Sequence, residues 1–140
     1  MLKAGCIILT IEGGFQFIVS VLSLAVSIIG KYAPILKMTL TDEEINAIQP
    51  KALTTTKALA IMHNSGATLS TFLSIVVVWT GLVHGYKWAF LVLLIAGIFG
   101  HTFWFIGDSF IGNKTLIVNV ILSALFLTGI SLVGYSIFRG

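Results

Sequence analysis

The side chains with the greatest chemical potential are a carboxyl group and two imidazoles that interrupt long apolar stretches. Glu12 lies in the first such stretch, His63 in the second and His101 in the third. Asn64 directly follows His63, and Asp108 closes the third stretch. Imidazole and carboxyl groups are common proton donors and acceptors in enzymes, and they also orient bound ligands. Their presence in an apolar setting predicts acid–base chemistry, ligand binding or structural hydrogen bonds between helices.

The sequence contains none of the short motifs that mark common catalytic sites. It has no Gly-x-Ser-x-Gly elbow, HExxH motif, Cys-x-x-Cys pair or phosphate loop. Cys6 is the only cysteine, which excludes an internal disulfide. A catalytic zinc needs three protein ligands; His63, His101 and Asp108 would be the bare minimum, so we predict no metal site. The net charge of +3 has no Lys/Arg cluster, and we predict no nucleic-acid partner.

The apolar stretches have the length of membrane-spanning helices. Apolar residues make up 57% of the chain and charged residues 9%, whereas a soluble domain carries about 25% charged residues. A helix needs about 20 apolar residues to cross about 30 Å of hydrocarbon, where it satisfies its own backbone hydrogen bonds. Four blocks reach this length, at residues 4–30, 58–83, 88–107 and 115–138. We predict a single all-α domain, an integral membrane antiparallel four-helix bundle.

The long polar segment of the chain is the connection between the first two spans, residues 31–57. Thr41 and Glu44 have the spacing of a capping box, in which each side chain bonds the backbone of the other residue. The pattern predicts a short amphipathic helix that starts after Thr41 and ends before Pro50. Its apolar face, with Ile45 and Ile48, is expected to rest on the membrane surface. The segment serves either as a plain connection or as a lid over a pocket.

The other connections are short, which places consecutive spans side by side and antiparallel. His63 and His101 then reach comparable depth on neighbouring helices, near the side of the long connection. Glu12 falls in the other half of the bilayer, one helical turn from Gln16, and need not touch them. Ionisable groups within spans face the protein interior or a wet cavity, because lipid cannot solvate them. We therefore expect one interior site around the imidazoles. Glu12 is either a neutral carboxyl group bonded to a neighbouring helix or a proton-carrying or ligand-binding acid.

These residues together form a candidate site. The candidate catalytic residues are Glu12, His63, His101 and Asp108, and the candidate ligand-binding residues are Gln16, Asn64, Trp104 and Phe105. The favoured interpretation is a pocket for a small apolar molecule or lipid, because apolar walls with a few convergent polar groups are typical of ligand sites. The alternative is a membrane-embedded acid–base enzyme of the isomerase or cyclase type that acts on a lipid-soluble substrate.

Two further hypotheses use the same helices. Bis-histidine ligation of haem by His63 and His101 requires the two rings at one depth, and neighbouring glycines leave room for the macrocycle. Stripes of serine and glycine let helices approach closely in a membrane. Such stripes, if they face a partner chain, favour a homo-oligomer or a structural subunit of a larger membrane complex.

The layout of the second and third spans resembles that of a known group. Thr54 opens a stretch that runs past Gly81, turns at Lys87 and closes on Gly107 and Asp108. With its length and its longest loop after the first helix, the chain resembles the DoxX-like small bacterial membrane proteins. The resemblance implies a compact antiparallel four-helix bundle in the bacterial inner membrane. Members mostly lack an assigned activity, some are linked to respiratory or redox roles, and no site residue is carried over.

Basic residues near the span ends favour cytoplasmic termini.

Overall fold

The computed structural model describes residues 1–139, and all the regular structure in this range is helical. The elements are α1 (Leu2–Ile29), α2 (Pro34–Thr39), α3 (Asp42–Ala47), α4 (Pro50–Thr80), a 3-10 turn (Leu82–His84), α5 (Lys87–Phe110) and α6 (Leu116–Arg139). Within the described range, α1, α4, α5 and α6 are long and apolar enough to cross a membrane. The prediction of an all-α chain with four helices of membrane-spanning length is confirmed.

Helix α4 begins at Pro50, before the predicted span at residues 58–83. Proline is well accommodated in the first turn of a helix, where its missing N–H has no intrahelical partner to lose. The next two turns are polar, and their three threonine hydroxyls bond to carbonyl oxygens four residues earlier, in the contacts Thr54–Pro50, Thr55–Lys51 and Thr56–Ala52. The helix therefore extends outside the apolar stretch that predicted it.

The described chain divides into two compact units, and α1 and α4 contribute residues to both. Unit 1 comprises Met1–Phe15 and the chain from Thr71 onward, and unit 2 comprises Gln16–Ser70. The core of unit 1 is apolar and draws on α1, α4, α5, α6 and the 3-10 turn. Its buried members are Cys6, Leu9, Val78, Leu82, Ala89, Leu93, Phe126, Ile130 and Val133.

Helices α1 and α6 approach closely at two glycines of unit 1. A Cβ on Gly5 would lie 2.8 Å from the carbonyl oxygen of Gly129 and 2.7 Å from a methyl carbon of Val133. A Cβ on Gly129 would lie 2.7 Å from Cγ of Leu9. Small residues at such a crossing let two backbones pack directly against each other. The contact fixes α1 against α6 and sets the position of Glu12, about two turns further along α1.

Unit 2 contains the long connection, and the predicted capping box is present there. Glu44 accepts a hydrogen bond from the N–H of Thr41 at 2.8 Å, and Oγ1 of Thr41 accepts one from the N–H of Glu44 at 3.3 Å. Helix α3 ends at Ala47, before Pro50, as predicted. The expectation that Ile45 rests on the membrane surface is wrong, because its side chain is fully buried within the protein. The additional short helix α2 was not predicted.

Unit 2 also ties α4 to the end of α1. Nζ of Lys57 donates to the carbonyl oxygens of Ile28 at 3.0 Å and Gly30 at 2.7 Å. The last carbonyls of a helix lack internal partners, and a cation there also favours the negative end of the helix dipole. Nδ2 of Asn64 donates to Oγ of Ser27 at 3.1 Å. Lys57, which the sequence placed in the polar connection, therefore caps the end of α1.

Thr41→Ala is expected to move the pKa of Glu44 part of the way back towards its ordinary value of 4.5. In the capping box the backbone N–H and then the hydroxyl of Thr41 donate to the Glu44 carboxylate, and both bonds lower its pKa. Because the folded pKa is the lower one, the stabilisation is present above pH 4.5 and is lost as the pH falls through the folded value.

Carbon-13 NMR titration of the glutamate carboxyl groups measures this shift, with Glu43 in the same turn as the internal control. The prediction is wrong if Glu44 already titrates at 4.5 in the unsubstituted protein, or if Thr41→Ala leaves its titration unchanged.

Candidate functional site

Glu12 of α1 and His101 of α5 meet inside unit 1. Oε1 of Glu12 lies 3.5 Å from Nε2 of His101, and the two side chains are 8% and 11% exposed. The sequence left open whether Glu12 touches an imidazole, and the structure shows that it contacts His101. At a rise of 1.5 Å per residue, Glu12 lies about 15 Å along α1 and His101 about 21 Å along α5. The remaining offset of about 6 Å is within reach of two side chains of this length.

The other ring nitrogen of His101 contacts α6. Nδ1 lies 2.9 Å from Oγ of Ser123, the distance of a good hydrogen bond. The contact from Nε2 to Glu12 is longer than a good N–H···O bond, so that nitrogen is held more loosely. A hydrogen bond at one nitrogen orients the ring and leaves the other nitrogen to act. We call Glu12, His101 and Ser123 the imidazole cluster.

Two aromatic rings flank the imidazole of His101. The Trp104 ring lies edge-on, with centroids 5.6 Å apart, and the Phe126 ring lies 5.1 Å away at a tilt of 39°. Gly97 allows this arrangement, because a Cβ there would lie 2.0 Å from the tip of the Phe126 ring. Of the two predicted aromatic wall residues, Trp104 contacts His101, whereas Phe105 is exposed. The cluster therefore has apolar faces beside its polar edge.

Asp108 acts at the connection between α5 and α6. One carboxylate oxygen accepts hydrogen bonds from the N–H of Thr115, at 3.2 Å, and from the hydroxyl of Thr115. The other accepts from Nδ2 of Asn119 at 2.5 Å. The side chain is almost fully buried, and its backbone oxygen accepts from the N–H of Asn113, which has a positive φ of 59°. These bonds hold the turn between α5 and α6 in place. A structural role therefore accounts for Asp108, which the sequence suggested as a catalytic candidate.

The remaining predicted site residues belong to unit 2. His63 is exposed on α4, Asn64 bonds to Ser27, and Gln16 is half-buried on α1. The two histidines of the haem hypothesis fall in different units, and both ring nitrogens of His101 already contact protein groups. In residues 1–139, no three His, Cys, Asp or Glu side chains are grouped closely enough to hold a metal ion.

Sequence reasoning missed the residues that α6 supplies. Asn119, Ser123 and Phe126 follow one another at helical spacing of four and three residues, and they contact Asp108 and His101 on α5. The spacing of polar residues along α6 was visible in the sequence. The sequence did not show which residues of α6 lie opposite which residues of α5, because this alignment depends on the length and geometry of the turn between the helices.

Comparison of the chain with protein-family models, with curated proteins and with solved structures finds no match.

Proposed function

We propose that this chain is an antiparallel four-span membrane bundle that binds the polar end of a small apolar molecule at the imidazole cluster. The observation that carries the proposal is the asymmetry at His101, where Ser123 fixes Nδ1 at 2.9 Å and Glu12 lies 3.5 Å from Nε2. Ionisable groups within spans are costly, and those that occur usually serve a function. Nε2 of His101 is held in one orientation but makes no short hydrogen bond to the protein, which suits it to bind an oxygen atom of a ligand.

The contacts between α5 and α6 support the antiparallel arrangement. His101 pairs with Ser123, while Asp108, further along α5, pairs with Thr115, earlier on α6. The short connection between these helices has the same implication. In each of the four long helices, only 17–33% of the most apolar 18-residue segment is buried inside the protein. Lipid or partner chains must cover the remainder.

The binding geometry follows from the positions of these groups. With Nδ1 accepting from the hydroxyl of Ser123, Nε2 of His101 carries the proton and donates it to a carbonyl or hydroxyl oxygen of the ligand. Glu12 lies on the same side of the ring and accepts from a ligand hydroxyl or competes for Nε2. The faces of Trp104 and Phe126 pack against the apolar part next to this oxygen. Lipid-soluble quinones, alcohols and ketones have the required chemistry.

Decyl-ubiquinone is a suitable probe, because quinones quench tryptophan fluorescence and Trp104 contacts His101. A Trp79→Phe/Trp88→Phe variant leaves Trp104 as the single reporter. We expect saturable quenching in detergent micelles, and we expect His101→Ala to weaken the apparent affinity at least tenfold while the melting temperature changes little. Decylbenzene, which has the tail but no oxygen, should not compete with the quinone.

His63→Ala is the matched control, because this exposed histidine lies in unit 2 and its replacement should leave quenching unchanged. If His101→Ala does not fold, His101→Gln keeps a donor and tests the same position. Equal affinities for the unsubstituted protein, His101→Ala and His63→Ala would refute the binding proposal.

A second candidate function, acid–base catalysis, is favoured by the connectivity of the cluster. The same heavy-atom positions accommodate two proton arrangements. In one, the Ser123 hydroxyl donates to Nδ1 and Nε2–H donates to the Glu12 carboxylate. In the other, Nδ1–H donates to Ser123 and a protonated Glu12 donates to Nε2. The second arrangement holds one proton more than the first. The cluster would change from the first to the second by taking a proton from the carbon next to a substrate carbonyl group, and back to the first by returning it.

Glu12→Gln separates the two candidate functions, because it preserves side-chain size and removes the acid. With 2-undecanone in heavy water, an enzyme of this kind exchanges the protons next to the carbonyl for deuterium, which mass spectrometry detects. We expect at least tenfold slower protein-dependent exchange in Glu12→Gln, with quinone quenching retained. Absence of exchange above the protein-free rate in the unsubstituted protein would exclude this activity for the ketone class.

A further inference from the structure

A second polar feature of unit 1 lies at the end of the helices where α1 begins. A cavity of about 200 Å³ is lined there by Lys3, Cys6, Ile7, Trp79 and Val83. Four of these residues are apolar or aromatic, and the fifth places an ammonium group at the cavity. Lys3 is exposed, whereas Cys6 is fully buried. An apolar recess beside one cation matches a ligand that joins an anionic group to a hydrocarbon chain.

The same end of unit 1 carries further positive charge. Lys87 opens α5 and lies 5.5 Å above the ring of Phe138, and Arg139 ends α6 and lies 5.6 Å from the ring of Tyr135. The acidic side chains of unit 1 are Glu12 and Asp108, and Asp108 lies near the other end of α5. Glu12 is about two and a half turns deeper along α1 than Lys3. Of the described residues, the acidic side chains that belong to unit 1 therefore lie away from Lys3, Lys87 and Arg139.

Packing contacts place these cations at one end of the unit. Gly5 of α1 packs against Gly129 and Val133 of α6, and Phe90 of α5 contacts Phe138 of α6 with ring centroids 5.4 Å apart. Aromatic residues concentrate at the level of lipid headgroups, and Lys or Arg side chains there reach the same level. The cationic end of unit 1 is thus suited to meet the polar surface of the bilayer.

We propose that the cationic end of unit 1 is a binding site for an anionic phospholipid. The phosphate group contacts the Lys3 ammonium, Lys87 and Arg139 add attraction at the same level, and one acyl chain enters the cavity between Ile7, Trp79 and Val83. A zwitterionic lipid is a poorer occupant because its choline cation meets uncompensated positive charge. This site is separate from the imidazole cluster, and the inference does not depend on the proposed function.

Trp79 provides a direct test, because bromine on an acyl chain quenches tryptophan only near contact. The Trp88→Phe/Trp104→Phe variant keeps Trp79 as the single reporter and is reconstituted into vesicles. Brominated phosphatidylglycerol and brominated phosphatidylcholine are compared by titration in an unbrominated background. We expect phosphatidylglycerol to bind about fivefold or more tightly at Trp79, with a preference that weakens at high salt.

Lys3→Gln should reduce this preference towards unity, whereas Lys114→Gln, at the connection between α5 and α6, should leave it unchanged. Val83→Phe fills the cavity and should reduce quenching by both lipids. Equal quenching by the two lipids would overturn the proposal, as would equal effects of Lys3→Gln and Lys114→Gln. If Val83→Phe has no effect, the acyl chain does not occupy the cavity and the proposed site is wrong. Should the single-tryptophan protein not fold, native mass spectrometry of the unsubstituted chain and Lys3→Gln with the two lipids gives the same comparison.

Discussion

Asp108→Ala is expected to lower the free energy of unfolding by about 3 kcal/mol, the largest loss that we predict for a single substitution. The carboxylate accepts bonds from the backbone and hydroxyl of Thr115 and from the amide of Asn119, and it is almost fully buried. Each buried donor that loses its acceptor costs about 1–3 kcal/mol. Thr115 is half-buried and its two donors regain part of this from water. The total for the three donors is therefore near the lower end of their combined cost.

Denaturant unfolding in detergent, followed by circular dichroism, measures the loss. Asp108→Asn is the conservative comparison, because it replaces one oxygen with an amide nitrogen that faces the amide of Asn119. Asp108→Asn/Asn119→Asp exchanges the two groups and should recover stability relative to Asp108→Asn alone. If Asp108→Ala unfolds like the unsubstituted protein, the turn is not stabilised by this carboxylate.

Gly97→Ala is expected to lower the free energy of unfolding by about 1–2 kcal/mol. The new methyl group would lie 2.0 Å from Cζ of Phe126, whose ring is buried and packed against His101. Overpacking of this kind costs about 1–3 kcal/mol. Replacing glycine in a helix with alanine returns up to about 1 kcal/mol, so the clash determines the sign. Displacement of the Phe126 ring should also disturb His101 and weaken binding at the imidazole cluster.

Two variants test this explanation. Gly100→Ala is the matched control on the same helix, because a Cβ there meets no atom within 4 Å, and it should leave stability unchanged or raise it slightly. Phe126→Leu should restore part of the stability when combined with Gly97→Ala, since it shortens the group that clashes. Equal destabilisation by Gly97→Ala and Gly100→Ala would show that the contact with Phe126 is not responsible.

The features that the sequence predicted correctly depend on short stretches of chain. The membrane-spanning helices follow from the run length of apolar residues, because an isolated helix in lipid satisfies its own backbone. The capping box follows from two residues three positions apart, Thr41 and Glu44. In both cases the free energy that decides the structure arises between neighbours in the sequence. Such patterns are readable without knowledge of the tertiary structure.

The features that it missed depend on how helices pack. Glu12 reaches His101 because α1 crosses near α6 at Gly5 and Gly129, and that crossing is set by the absence of two Cβ atoms. The sequence suggested Asp108 as a catalytic residue, but its carboxylate bonds to Thr115 and Asn119 after the turn that follows it. Ile45 is fully buried within the protein rather than membrane-facing, which its own short helix does not reveal. A list of ionisable residues therefore identified candidates without identifying their partners.

The pairing of Glu12 with His101 has a consequence for the biogenesis of the protein. A ribosome completes α1 long before α5 emerges, so Glu12 must enter the insertion machinery before its imidazole exists. We expect a translation intermediate that stops after α4 to insert α1 less completely than the finished chain, and Glu12→Gln to remove the difference. Glycosylation sites engineered at both ends of α1 in staged truncations would report this insertion. The contact with His101 would therefore couple the insertion of α1 to the later synthesis of α5.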